Sequence, residues 1–275
     1  MQELRLLAPA KVNLALHVTG RRADGYHLLD SLVVFADRGD QLELSLAEDY
    51  AIRVTGPLAE GVPEDDRNLC IKAARAAGVP VRITLEKHLP NAAGLGGGTS
   101  DAAAVLRGIA QLTGKPPLAH PESIGADLPV CLFGKAARMQ GVGEQITPQP
   151  GLPALPAVLV NPRLPLTTPE VFRSLERRDN PPLEELPEGL STAQDMAGWL
   201  DRQRNDLEAP ALRAAPAIAG VLSALAAQPG CLLARMSGSG ASCFALFPDL
   251  PAAEMAAKRL SDAQPNWWIC PTQLA

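Results

Sequence analysis

No two cysteines in this chain are spaced as CxxC, no basic stripe runs along it, and no apolar run approaches the length of a membrane span. Each absence removes a class of function. The five cysteines, Cys70, Cys131, Cys231, Cys243 and Cys270, lie far apart, so neither a zinc site nor a disulfide framework is indicated. An odd count in apolar settings reads as reduced, buried thiols. Basic residues are scattered, and a net charge of -5 with a pI near 5.5 opposes the electrostatic footprint of a nucleic-acid binder. A helix needs roughly 18 to 20 apolar residues to cross a bilayer. The first dozen residues carry Glu3, Arg5 and Lys11 and hold no uninterrupted apolar segment, so no signal peptide is expected. Repeats, heptads and low-complexity tracts are also lacking, which excludes repeat architectures. The expectation is a cytoplasmic protein, monomer or weak dimer, that meets neither nucleic acid nor membrane and acts on small molecules.

What is present is an ordinary globular composition, 47% apolar and 20% charged, in 275 residues that have room for two modest domains. From Leu4 to about Thr55, LRLLA, KVNLALHV, HLLDSLVVF, QLELSL and AIRV alternate apolar and polar residues with Gly and Asp between them, the pattern of successive strands with tight turns. Asn68 to Ala77 has helical spacing and stops at Gly78. VRITLEK is a strand, and SDAAAVLRGIAQLTG is the strongest helix of the chain, rich in Ala and Leu and ending at Gly114. After ALPAVLV, Thr168 is read as the cap of a helix with Pro169 at its first position. A Pro- and Glu-rich loop covers 179 to 190, and helices follow near 191 to 202 and 205 to 228. CLLARMS and CFALF are strands, Pro251 opens a helix, and WWIC is a last strand that could pack back on the N-terminal domain. This order is a split βαβ or ferredoxin-like pattern, with a domain boundary near 150: residues 1 to 150 form an N-terminal domain and 151 to 275 a C-terminal one.

The segment PNAAGLGGGTS, Pro90, Asn91, Ala92, Ala93, Gly94, Leu95, Gly96, Gly97, Gly98, Thr99 and Ser100, clusters four glycines in five positions between a strand and a helix. Glycine lets successive N–H groups approach an anion, and the helix start adds its partial positive charge. Phosphate is the natural occupant, and a purely structural glycine turn is the alternative. The spacing is neither GxxxxGK[ST] nor GxGxxG, so Walker and Rossmann readings fail. A second small-residue loop, Ser237, Gly238, Ser239 and Gly240 in MSGSGASCF, reads as a flexible hairpin in isolation and as a second wall of a ligand site beside the first. Lys11 and Asn13 fall on one face of a strand whose other positions are apolar, although a lysine can also snorkel at a strand edge. Asp127 follows Gly125 ahead of an apolar run, where turn and cap residues also sit.

Taken in order, APAKVNL, GLGGGTSDAAA, GADLP and SGSGAS resemble, over essentially the whole chain, the superfamily of galactokinase, homoserine kinase and mevalonate kinase. GRRADGYHLLDSLVVF and the LP ahead of the glycine loop look specifically like its 4-diphosphocytidyl-2-C-methyl-D-erythritol kinases, of the non-mevalonate isoprenoid pathway. The resemblance implies an α+β, two-domain small-molecule kinase with an N-terminal domain like ribosomal protein S5 and a ferredoxin-like C-terminal domain. It implies ATP as co-substrate on residues 90 to 100 with Mg2+, Asp127 as catalytic base, and Lys11 as its partner. Cytidine diphosphate methylerythritol would meet Asn13, Tyr26, His27 and Phe172, and Asn68 stands where the family contacts adenine or caps a helix. Thr99 and Ser100 offer hydroxyls at the helix start, and no metal ligand is assigned. Two departures from the family stand out: KPPLAHPESI is short and too rich in proline for the helix expected there, and Asn91 is polar at the mouth of the loop. The alternatives are another kinase of the superfamily, acting on homoserine, mevalonate or a sugar, and a nucleotide-binding regulator that has lost the reaction.

Overall fold

A computed structural model describes residues 3–91, 93–116 and 118–275. The chain divides into two compact units that interleave along the sequence: Met1–Lys11, Arg38–Asn91 and Gly96–Gly134 form the first, and Val12–Asp37, Ala92–Leu95 and Lys135–Ala275 the second.

Two long strands contribute to both units. These are β1 (Glu3–Arg21) and β2 (His27–Leu46), of 19 and 20 residues, which pair with each other. The sequence suggested a series of short strands here, because Gly39 and the aspartates around it read as a turn. Gly39 instead sits inside β2, where a Cβ would lie 2.0 Å from the Ala8 carbonyl oxygen. The glycine allows two backbones to close on each other and turns nothing.

In the first unit, β3 (Ala51–Thr55) runs parallel to β4 (Val81–Glu86), and β4 pairs antiparallel with the Gln41–Leu46 part of β2. The period of two puts Val81, Ile83 and Leu85 of β4 inward with Leu42 and Leu44 of β2. Helix α1 (Leu69–Ala76) and helix α2 (Gly97–Thr113) cover that face with Cys70, Ile71, Ala104, Val105 and Ile109. Alanines let α2 lie close to the sheet, and Gly114, in the left-handed region, ends it by donating to the Ala110 carbonyl at 2.8 Å. Among the described residues between Gly114 and Gly125 a single 3-10 turn forms, at Pro121–Ser123, in keeping with the prolines there. Short helix α3 (Leu128–Phe133) then packs on α2.

In the second unit, β5 (Ala137–Gly141) pairs with residues 29–33 of β2 and, as a hairpin, with β6 (Gln145–Pro148). The C-terminal block runs β7 (Leu155–Asn161), α4 (Thr168–Arg173), α5 (Ala193–Leu200), α6 (Glu208–Ala214), α7 (Ala217–Ala226), β8 (Leu233–Met236), β9 (Cys243–Leu246), α8 (Leu250–Ala263) and β10 (Trp268–Leu274). Its antiparallel strands lie in the order β10-β7-β9-β8, the ferredoxin-like arrangement expected from the sequence. All of β7 is buried, with α7 and α8 supplying Ile218, Val221, Leu225, Ala253, Ala256 and Leu260 to the core.

Two helix boundaries differ from the sequence reading. The cap of α4 is Thr167, one residue earlier than Thr168, because its side chain and that of Glu170 close a reciprocal capping box. The single helix expected over 205 to 228 is broken between α6 and α7, where Pro216 has no N–H to continue the ladder. All five cysteines are reduced; Cys70, Cys131 and Cys243 are buried, and Cys231 and Cys270 are partly exposed, short of the full burial expected. No helix among the described residues is long and apolar enough to cross a membrane.

Candidate active site

The glycine-rich segment enters α2 through Gly96, which caps the helix with φ 63° and provides no side chain to its free amides. The first intrahelical bond is Ser100 N to Gly96 O at 2.8 Å. The N–H groups ahead of it have no acceptor within the helix, and a 17-residue helix stands behind them, which is the arrangement that attracts an anion. The Lys11 stem fills the space where Gly96 lacks a Cβ, at 3.2 Å. Thr99 is partly exposed, its hydroxyl 4.0 Å from where a Gly125 Cβ would lie. Ser100 is buried and its hydroxyl turns to Cys131 Sγ at 3.6 Å. Ala92, expected in this segment, lies outside the described residues, and Asn91 reaches the Glu60 carbonyl at 3.4 Å.

Lys11 and Asp127, which stand 116 residues apart in sequence, meet here. Lys11 Nζ donates to Asp127 Oδ2 at 2.8 Å, with the lysine side chain 5% exposed and the carboxylate 36% exposed. Lys11 is therefore an interior group and does not snorkel from a strand edge. Asp127 occupies the cap position of α3, but its side chain makes no capping bond and is engaged by Lys11.

Below the same loop is a cluster that sequence reasoning missed. Lys87 Nζ donates to Asp101 Oδ2 at 2.9 Å and also to Asp40 Oδ2, all three side chains being buried. The second Asp40 oxygen accepts from His88 N at 2.6 Å and Leu89 N at 2.8 Å. Burial pushes the Asp101 carboxyl up to about 8, against the pull of Lys87. Lys87 is held above its usual value because the two aspartates outweigh its own burial.

In the second unit, Gly94 has φ 71°, and a Cβ there would strike the Ser237 carbonyl at 2.5 Å and the Gly240 carbonyl at 2.8 Å. Ser237 Oγ donates to Gly94 O at 3.1 Å, and Ser242 N donates to Ala93 O at 3.1 Å, so Ala93 to Leu95 lie against the second small-residue loop. Asn13 belongs to the same group: its N–H donates to Ser237 Oγ at 3.1 Å and its amide to Ser31 Oγ at 2.7 Å. Asn205, also missed, donates to the carbonyls of Met236 and Gly238, both at 2.8 Å. Thr168 and Ser239 share a hydroxyl hydrogen bond at 2.8 Å.

His27 and Phe172 stack with ring centroids 4.8 Å apart and an interplanar angle of 27°. Burial, helped by Arg178 and Arg21, lowers the His27 pKa, and its Nε2 is buried without a hydrogen-bond partner among the described residues. Tyr26 is not part of this stack and is 62% exposed. Asn68, by contrast, is committed to its own helix, Oδ1 accepting from Cys70 N at 2.9 Å and Nδ2 donating to Pro63 O at 2.7 Å. Its cap role is the one the geometry provides. Among the described residues no three His, Cys, Asp or Glu side chains gather as a metal site.

Two family models match the chain, "GHMP kinases N terminal domain" over residues 68–135 and "GHMP kinases C terminal" over residues 183–266. A 4-diphosphocytidyl-2-C-methyl-D-erythritol kinase of Dinoroseobacter shibae is 56% identical over 97% of this chain and 93% of its own length. The chain belongs to the GHMP kinases. A second relative of the same name within them, from Cereibacter sphaeroides, is 53% identical over 98% of both chains. The crystal structure of a 4-(cytidine 5'-diphospho)-2C-methyl-D-erythritol kinase superposes with a TM-score of 0.80 at 34% identity, covering 99% of each chain. The α+β architecture and the ferredoxin-like sheet of the second unit are thus those of a GHMP kinase, and the matched N-terminal segment contains α1, the glycine loop, α2 and Asp127.

Proposed function

We propose that this protein transfers the γ-phosphoryl group of ATP to the 2-hydroxyl of 4-diphosphocytidyl-2-C-methyl-D-erythritol, in the non-mevalonate route to isoprenoids. The relatives named for that reaction support the acceptor, and the Lys11–Asp127 pair beside the capless start of α2 supports the chemistry. Within this reading the triphosphate rests on the amides of the glycine loop. Magnesium arrives as part of the MgATP substrate, held by its phosphates.

Phosphoryl transfer asks mainly for positioning and charge stabilisation. Asp127 accepts the proton of the acceptor hydroxyl as its oxygen bonds to the γ-phosphorus, the bond from that phosphorus to the bridging oxygen breaks, and ADP leaves. Lys11 orients the carboxylate and offsets the charge developing on the attacking oxygen. The cytosine is assigned to His27, Phe172 and Tyr26: a neutral imidazole with an unused nitrogen suits hydrogen bonding to a pyrimidine, and aromatic rings suit its faces. Asn13 is assigned to the acceptor's polyol and the 237–240 loop to closing on the ligand. The division of labour follows the sequence, with ATP binding and catalysis before about residue 150 and the ferredoxin-like part after it. The protein is read as cytoplasmic, a monomer or weak dimer.

The test is ADP formation from ATP, magnesium and the cytidine diphosphate acceptor, against homoserine, mevalonate and galactose as competing acceptors. Turnover only with the cytidine compound, and its collapse in Asp127→Asn, is the expected result. Preference for another acceptor would assign the chain to a different reaction within the family, and ATP binding with no turnover of any acceptor would make it a regulator.

A further inference from the structure

The nucleotide loop leaves the sheet after Lys87 and re-enters regular structure at α2, which carries Asp101. A direct bond between these two side chains, 2.9 Å long, closes the neck of the loop. Asp40 of β2 strengthens the same point, taking Lys87 Nζ with one oxygen and the backbone N–H groups of His88 and Leu89 with the other. The cluster lies immediately under the phosphate-facing turn: a Cβ on Gly97 would be 3.6 Å from Lys87 Nζ and 3.7 Å from Asp40 Oδ2. Two carboxylates share one ammonium in a buried site, and Asp101 Oδ1 is buried without a partner among the described residues.

A buried charge beneath a loop that must receive a polyanion cannot be neutral in its effect, because the medium between them screens weakly. With both carboxylates ionised the cluster carries one net negative charge, and with one of them protonated it carries none. We propose that Asp40, Lys87 and Asp101 are positioning residues for ATP, and that the neutral form of this clamp, with one proton on the two carboxylates, is the form that accepts the triphosphate. This rests on the assignment of residues 90 to 100 to ATP.

The upward displacement of the Asp101 carboxyl puts the change of form near pH 8, within reach of experiment. The other groups facing Asp101 are Asp40 from β2, Lys87 from the end of β4, and Cys70 from α1, whose thiol burial keeps protonated. By linkage, a form that binds the nucleotide better when protonated takes up a proton on binding wherever it is ionised beforehand. Above the transition, affinity should fall by up to about tenfold for each unit of pH.

The first measurement uses the unaltered protein. Calorimetry of ATP binding without acceptor, at about pH 8.5 in two buffers of different ionisation heat, counts protons exchanged. The expected result is net uptake approaching one proton; binding with no uptake would overturn the proposal. The second uses Asp101→Asn, which mimics the neutral form. Its KM for ATP should stay level through pH 8 to 9, where the parent's rises, so that the pH dependence is lost from KM for ATP and not from kcat at saturating ATP. A variant that keeps the parent's pH profile would refute the clamp. Failure of the unaltered protein to bind ATP at any pH would instead remove the nucleotide assignment itself.

Discussion

Lys11 Nζ and Asp127 Oδ2 lie 2.8 Å apart, and of the two side chains only the carboxylate reaches solvent appreciably. A buried ammonium thereby fixes the direction of an accessible base. If Asp127 takes the acceptor proton, Asp127→Asn keeps the shape and loses the function. We expect kcat to fall about 100- to 10,000-fold while KM for ATP stays within about threefold, measured by coupled ADP release. A loss confined to KM would assign Asp127 to binding.

Gly94 predicts a larger stability effect than a glycine of similar φ in open space. In Gly94→Ala an L-residue must hold φ 71° and its Cβ must displace two carbonyls of the 237–240 loop. The cost should be at least about 2 kcal/mol in urea unfolding. Gly78→Ala is the control: its φ is 63°, but nothing lies within 4 Å of the added carbon. That variant should lose only about 1 kcal/mol.

Phe172 and Tyr26 should separate packing from recognition. Phe172 is stacked on His27 whereas Tyr26 is 62% exposed. Each alanine variant should raise the acceptor KM about 5- to 150-fold, the range for losing one face of a stacked base, with KM for ATP unchanged. Only Phe172→Ala should also lower the melting temperature. An unchanged acceptor KM in both would place the cytosine elsewhere.

His17 predicts the acid side of the stability profile. It is buried, its Nε2 accepts from Arg204 N at 3.0 Å, and Nδ1 therefore carries the proton that it donates to Pro181 O at 3.0 Å. Burial and Arg204 lower its pKa in the folded protein. The unfolded chain thus binds the proton more readily. The stability contribution is fully present above the ordinary value of 6.5 and is lost as pH falls below it. Urea unfolding from pH 7.5 down to 5 should show this loss, and His17→Gln should flatten part of it, the remainder belonging to His27, which is lowered in the same sense.

Local signals were legible in the sequence, and long-range partnerships were not. The glycine loop, α2 and its Gly114 terminus follow from residues within a few positions of one another. The ferredoxin-like order also follows, because each of its elements has its own period and stop. The Asp40–Lys87–Asp101 clamp does not: its members stand 47 and 14 residues apart along the chain and each resembles an ordinary surface charge. Resemblance to known kinases supplied Lys11 with Asp127, a pairing that neither APAKVNL nor GADLP suggests alone. Gly39 misled because a residue that relieves crowding and one that makes a turn look identical in sequence. Tyr26 and His27 are adjacent, yet only His27 stacks on Phe172, since consecutive side chains leave the backbone in different directions.

The interleaving of the two units has a consequence for how the gene can be divided. A fragment ending at residue 134 contains every segment of the first unit but also carries 12 to 37, a run that is almost wholly buried from Val12 to Val18 and again from Asp30 to Ala36. In that fragment the 29–33 stretch of β2 has lost β5, and Phe35 has lost the paired hydrogen bonds it exchanges with Ala275. Such a piece presents a long, apolar, unpaired strand edge to its neighbours in solution, and its fate is self-association into insoluble material, not an isolated nucleotide-binding domain.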